Sequence, residues 1–182
     1  FLREGDKITI TFGDRSGGSP GMRLQTFCED SYEFHTLIDP IATYCYQPMP
    51  VQPVIKIIPG KPDRYLAVAP TIRAIDESFS IKFKGEDKWG NPSDQCDIQL
   101  YPRASHPVQN LPDVISLKPG EFFGVIEGLS VADAADLHID FLDDAGAVMC
   151  RTNPIRIEPA PLSRHFWGDL HGQSEETIGT GS

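Results

Sequence analysis

The chain has 182 residues, enough for one large domain or two small ones and for a sizeable buried core. Hydrophobic content of 40% and charged content of 23% are those of an ordinary globular protein, and a formal net charge of −10 argues against nucleic acid or an anionic membrane as partner. No apolar run approaches the roughly 20 residues of a membrane-spanning helix.

The opening residues, FLREGDKITI, contain neither an initiator methionine nor a signal-peptide pattern, so the native start is expected upstream. Ile8, Ile10 and Phe12 alternate with Thr9 and Thr11, which predicts a first strand with one apolar face. The glycine-rich stretch GDRSGGSPG (13–21) lacks the G-K-[ST] ending of a phosphate loop. Met22 to Phe27 reads as strand, so a hairpin loop is expected there; Asp14 and Arg15 lie in it. Tyr32, Phe34 and Ile38 alternate again. Three or four strands are too few for a well-covered sheet, and residues 1–59 read as a partial β-rich domain that is not stable alone. Prolines 50, 53, 59, 62 and 70 disfavour continuous sheet and predict a short, stiff connector.

Residues 60–158 show roughly seven strand candidates at about 8–12-residue spacing, the arithmetic of an immunoglobulin-like β-sandwich. Phe79, Ile81 and Phe83 alternate with Ser80, Lys82 and Lys84; Leu137, Ile139 and Phe141 alternate with His138 and Asp140. With Leu100 these apolar residues are expected to point inward, on antiparallel sheets packed on one side. Turn chemistry fits at DKWGNP (87–92), KPG (118–120) and DDAG (143–146). The fold class is therefore all-β. Trp89 is expected to anchor its turn against the sandwich, with sugar stacking as the alternative.

Cys28, Cys45, Cys96 and Cys150 are far apart and show no C-x-x-C spacing, which excludes a zinc ribbon or a dithiol redox motif. Three of them sit in or beside apolar strand-like runs, where a buried free thiol is the simplest expectation and a cytoplasmic location fits. His35, His106 and His138 have no metal-spaced neighbour and read as ordinary surface or core histidines. His165, close to Trp167, reads as structural. No G-x-S-x-G elbow is present, so nucleophilic serine chemistry has no footing.

Residues 159–182 form a linker and then HFWGDLHGQSEETIGTGS. An apolar run through Phe166, Trp167 and Leu170 ends in polar groups at two-residue spacing, so Asp169, His171 and Gln173 share one face of an extended segment. Neutral imidazole is a natural ligand for Zn²⁺, Mn²⁺ or Fe, and a nearby carboxylate can join the shell or orient the ring. The plainer alternative is a strand-end pair satisfied by hydrogen bonds. Glu175 and Glu176 stand either as a further ligand or general base, or as solvated loop acids.

PGKPDRYLAVAP and FSIKFKGEDKWGNPSD resemble bacterial immunoglobulin-like modules, in which a D-x-x-G-N-P-type turn follows a strand. The order GDKITITFGDRSGGSPGMRLQTF, then that module, then HFWGDLHGQSEETIGTG resembles the family known as domain of unknown function 3604. That family is similar to the PHP (polymerase and histidinol phosphatase) metal-dependent hydrolases. The resemblance implies a (β/α) barrel whose first strand delivers a D-x-H-x-H motif to a multi-metal site, and it offers Asp14 and Arg15 of the glycine-rich loop as residues that could reach the barrel mouth. Under it His171 matches the first histidine and Asp169 the preceding acid, while Gln173 stands where the second histidine would be. A neutral amide is a poorer Zn²⁺ ligand than imidazole, so the number of metals is open at this point.

Two readings follow. In the first, the chain is the N-terminal accessory portion of a PHP-like metal-dependent hydrolase. Divalent metal ions (Zn, Mn or Fe) sit in a site that this stretch only begins. Its partners are its own C-terminal catalytic domain and a small-molecule substrate with a phosphoester or related bond. In the second, it is an immunoglobulin-like binding or adhesion module without catalysis, since sandwiches host many unrelated functions.

Overall fold

The computed structural model describes residues 5–39, 41–161 and 163, and among these it is all-β, with no helix. The strands in chain order are β1 (Glu29–Glu33), β2 (Leu37–Ile38), β3 (Gln47–Pro48), β4 (Val54–Ile57), β5 (Arg64–Val68), β6 (Ile72–Ala74) and β7 (Phe79–Glu86). They continue with β8 (Ile98–Ala104), β9 (Ile115–Leu117), β10 (Gly124–Leu129), β11 (Ala135–Leu137), β12 (Ile139–Leu142), β13 (Val148–Arg151) and β14 (Ile155–Glu158). It follows that no helix among the described residues is long and apolar enough to cross a membrane.

Sheet order is β13-β12-β8-β9 in the largest sheet, β11-β14-β6 and β10-β7-β5 in two of three strands, and β1-β4 and β2-β3 as pairs. β12 runs antiparallel to both its neighbours, with Asp140 opposite Arg151 on one side and Arg103 on the other. The pair of β6 and β14 departs from the antiparallel expectation. β14 lies parallel to β6, with Arg156 opposite Ile72 and Glu158 opposite Ala74. These strands are separated by most of the sandwich sequence, so no hairpin turn fixes their relative direction.

The alternation that predicted the sandwich is realised in its burial. In β7, Phe79, Ile81 and Phe83 are buried while Ser80 and Lys82 are exposed. Leu100, Ile139 and Phe141 are fully buried, so all six residues expected inward are inward. Each such side chain contributes about 1.5–3 kcal/mol of hydrophobic free energy relative to exposure. Several strands have only two or three residues, too short to show a period, which is why residues 60–158 carry β5 to β14 rather than seven strands.

The chain forms two compact units that interleave along the sequence. One contains the described residues up to Leu66 together with Phe83–Gln99 and Ser116–Gly124; the other contains Ala67–Lys82, Leu100–Ile115 and the described residues from Val125 onward. The first buries Ile57, Phe83, Cys96 and Leu117. The second buries Ile72, Ile81, Leu129, Val131, Leu137, Ile139, Phe141, Ile155 and Ile157. Because the first unit draws on Phe83–Gln99 and Ser116–Gly124, residues 1–59 expressed alone should lack a cooperative unfolding transition and be digested rapidly by protease. A sharp two-state melt of that piece would refute this.

The early segment corrects the pattern reading in three places. Residues 6–11 are not in a strand, and Ile8, Ile10 and Phe12 are 68%, 68% and 54% exposed. Alternation predicts a strand only where a neighbour accepts the ladder hydrogen bonds, and among the described residues none does. Phe12 instead stacks on Phe34, with ring centroids 4.2 Å apart. Met22 to Phe27 also forms no strand, so the glycine-rich 13–21 stretch is a loop but not a hairpin. Finally, the proline-rich segment holds β4, which pairs with β1 between Pro53 and Pro59, so the prolines bracket a strand rather than exclude one.

Candidate functional site

Asp169, His171, Gln173, Glu175 and Glu176, the metal-ligand candidates, lie outside the described residues, as does His165. Among the described residues no group of three or more His, Cys, Asp or Glu side chains is arranged to hold a metal ion. His35 meets Glu33 at 3.2 Å, His106 meets Asp133 at 2.9 Å and His138 lies 3.9 Å from Asp140. The first two are pairwise contacts, while the Asp140 carboxylate beside His138 is held chiefly by Arg151. In the 13–21 loop, Asp14 accepts the Ser16 N–H at 2.9 Å, which holds its carboxyl below the usual range. Arg15 accepts the Gly18 N–H through its carbonyl, so the loop is closed on itself.

The most elaborate polar constellation is the turn that leaves β7. Asp87 accepts the backbone N–H groups of Trp89 (2.9 Å) and Asn91 (3.0 Å) through Oδ1, and that of Gly60 (3.0 Å) through Oδ2. The Asn91 amide donates to both carboxylate oxygens, at 3.1 and 2.9 Å. The turn is closed by Gly90 N–H to the Asp87 carbonyl, and Gly90 sits at φ 89°, a left-handed conformation that glycine adopts without strain. Burial alone would raise the Asp87 pKa, since its residue is only 4% exposed. The donors from Asn91, Gly60 and Trp89 outweigh it and bring the pKa down to about 2.

Asn91 carries the turn to a distant segment. Its Nδ2 donates to the Thr26 carbonyl at 2.8 Å, and its Oδ1 accepts the Cys28 N–H at 3.0 Å. Residues 26–28 are thus stapled to the turn without any strand pairing. Ser93 adds a bond to the Gly60 carbonyl at 2.7 Å, and Gln95 one to the Pro59 carbonyl at 2.6 Å. Beside them the buried Glu86 bridges Lys84 (2.8 Å) and Arg64 (2.7 Å). Hydrogen bonding from Lys84 keeps the Glu86 pKa low against the opposing effect of burial, and Arg64 reinforces it.

Of these residues Thr26, Cys28, Gly60, Asp87 and Asn91 line a groove of about 500 Å³ that also takes in Phe27, Ile58, Lys61 and Asp63. Trp89 does not anchor the turn as expected: it is 51% exposed at the groove, with Lys88 Nζ 5.0 Å and Arg23 Cζ 5.7 Å from its ring centroid. Hydrogen bonds accepted by the Asp87 carboxylate fix the turn instead, and the indole stays half-exposed with these two cations over its ring. All four cysteines are free thiols. Cys96 is buried and Cys150 half-buried, its thiol pushed up to about 11 by that burial. Cys28 and Cys45 are exposed, against the expectation of a buried thiol.

No protein-family model matches the chain, and no curated protein matches it. Sequence reasoning placed the turn at 87–92 but assigned no role to Asp87 or Asn91. The signal available was the D-x-x-G-N spacing, an aspartate positioned to accept from the N–H two residues on. The link from Asn91 to residues 26–28 spans more than 60 positions and has no local signature.

Proposed function

We propose that this chain is the N-terminal accessory portion of a PHP-like metal-dependent hydrolase, cytoplasmic, with its catalytic domain C-terminal to the β-rich body. One observation carries the reading: the sequence HFWGDLHGQS follows the last described strand of an all-β region, at the place where the family resemblance expects the first catalytic strand. The substrate class is a small molecule with a phosphoester or related bond.

Asp169 and His171 are the residues of this chain that would ligate a divalent ion (Zn, Mn or Fe), with Gln173 beside them as a neutral oxygen donor. The bound metal would supply Lewis acidity and a water of lowered pKa. One imidazole, one carboxylate and one amide fall short of the three strong protein ligands of a catalytic zinc site. Histidine and carboxylate ligands from the catalytic domain therefore complete the set in this proposal. Glu175 and Glu176 stand close enough in sequence to add a ligand or a general base.

The test is metal analysis of the full-length protein alongside hydrolysis of phosphomonoester and phosphodiester substrates. His171→Ala should lower both metal content and activity by about 100-fold or more, beyond the roughly 10–100-fold typical for loss of a supporting residue. Its circular dichroism should match the parent. Full metal occupancy in that variant would remove His171 from the ligand set, and with it the hydrolase reading.

A further inference from the structure

We propose that the groove beside Trp89 is a saccharide-binding site. It rests on residues of the first compact unit alone and is independent of the metal motif. The groove combines an exposed aromatic platform with a polar array of mixed sign, and that pairing selects the ligand chemistry. Trp89 and Phe27 are 51% and 60% exposed, and Ile58 beside them is 65% exposed. Lys61 and Asp63 line the same groove with exposed side chains that have no hydrogen-bond or ion-pair partner among the described residues.

A purely apolar ligand would strand Lys61 and Asp63 against hydrocarbon, at the cost of desolvating both charges. A simple anion would gain from Lys61, Lys88 and Arg23 but would meet Asp63 and the ionised Asp87 on the same wall. A pyranose chain satisfies every side of the groove. Its C–H faces carry the partial positive charge that an indole face attracts, and its hydroxyls donate to a carboxylate and accept from an ammonium. The volume of about 500 Å³ falls within the range of ligand grooves.

Preorganisation supports the same conclusion. The backbone on either side of Trp89 is held by Asp87, and the facing 26–28 segment is held by Asn91. The platform is therefore set before a ligand arrives, and little ordering entropy opposes binding. Lys88 and Arg23, on flexible stems over the indole, are free to swing aside or to close on the sugar.

The experiment titrates the purified protein with cellohexaose, xylohexaose, chitohexaose and maltohexaose, followed by calorimetry and by tryptophan fluorescence. At least one oligosaccharide should bind, and Trp89→Ala should weaken it by about tenfold or more while Trp89→Phe retains most of the affinity. Asp63→Ala, an exposed change that does not touch the turn, should weaken it as well. His171→Ala should leave binding unchanged, which separates this site from the proposed metal centre. Failure of all four sugars to bind, or a Trp89→Ala protein that binds as tightly as the parent, overturns the proposal.

Discussion

Asp87→Ala should lower stability by about 3 kcal/mol and should loosen residues 24–28 at the same time. The carboxylate is the common acceptor for three backbone N–H groups and the Asn91 amide. Alanine leaves all of them to find other partners at once. Asp87→Asn keeps one acceptor oxygen and should fall between the two. The charge also sets a pH dependence. The folded pKa of Asp87, about 2, lies below its unfolded value, so its contribution is complete above the unfolded pKa. It is lost as pH falls from about 4 toward the folded value. Denaturant melts of the parent and of Asp87→Asn between pH 6 and about pH 2 should converge as the acid limb is descended. Parallel curves over that window would show that the carboxylate's charge plays no part.

Gly124→Ala is expected to be almost as damaging, by a different route. A Cβ at Gly124 would fall on the Phe83 ring, overlapping Cζ and lying 2.6 and 2.9 Å from its Cε atoms. Phe83 is buried to 4% exposure and cannot yield without displacing its neighbours. Overpacking of this kind costs about 3 kcal/mol, which corresponds to a melting temperature lower by about 10 °C in a protein of this size. Trimming the ring should relieve the clash, so Phe83→Leu placed on Gly124→Ala should recover part of the loss. A double-mutant cycle with no coupling between the two positions would refute the contact.

The sandwich was legible in the sequence because its strands are long enough to alternate and are covered on one side. Phe79, Ile81, Phe83, Ile139 and Phe141 announce their burial through a period of two, and the structure places each inside. The same rule misled at Ile8, Ile10 and Phe12, where alternation is present but a partner strand is not. Period reports what a segment is able to do; the ladder decides whether it does so. Turns were equally legible at 87–92, 118–120 and 143–146, since glycine, proline and aspartate act locally. The partnership of Asn91 with Thr26 and Cys28, and with it the groove, was not, because that contact depends on where two distant segments meet. The parallel β6–β14 pair escaped for a related reason: strand direction leaves no mark in composition.

That parallel pair has a mechanical consequence. β14 is the last strand among the described residues, and Ile72 to Ala74 of β6 lies near the start of the second compact unit. Tension drawn through the chain pulls the N-terminal end of β6 and the C-terminal end of β14 in opposite directions along a common axis. The three registered positions, with the flanking bonds from Arg156 to Thr71 and from Ile75 to Glu158, then bear the load together in shear. An antiparallel hairpin pulled at its ends would peel one bond at a time. The sandwich is thus clamped against stretch at the strand that leads to the linker.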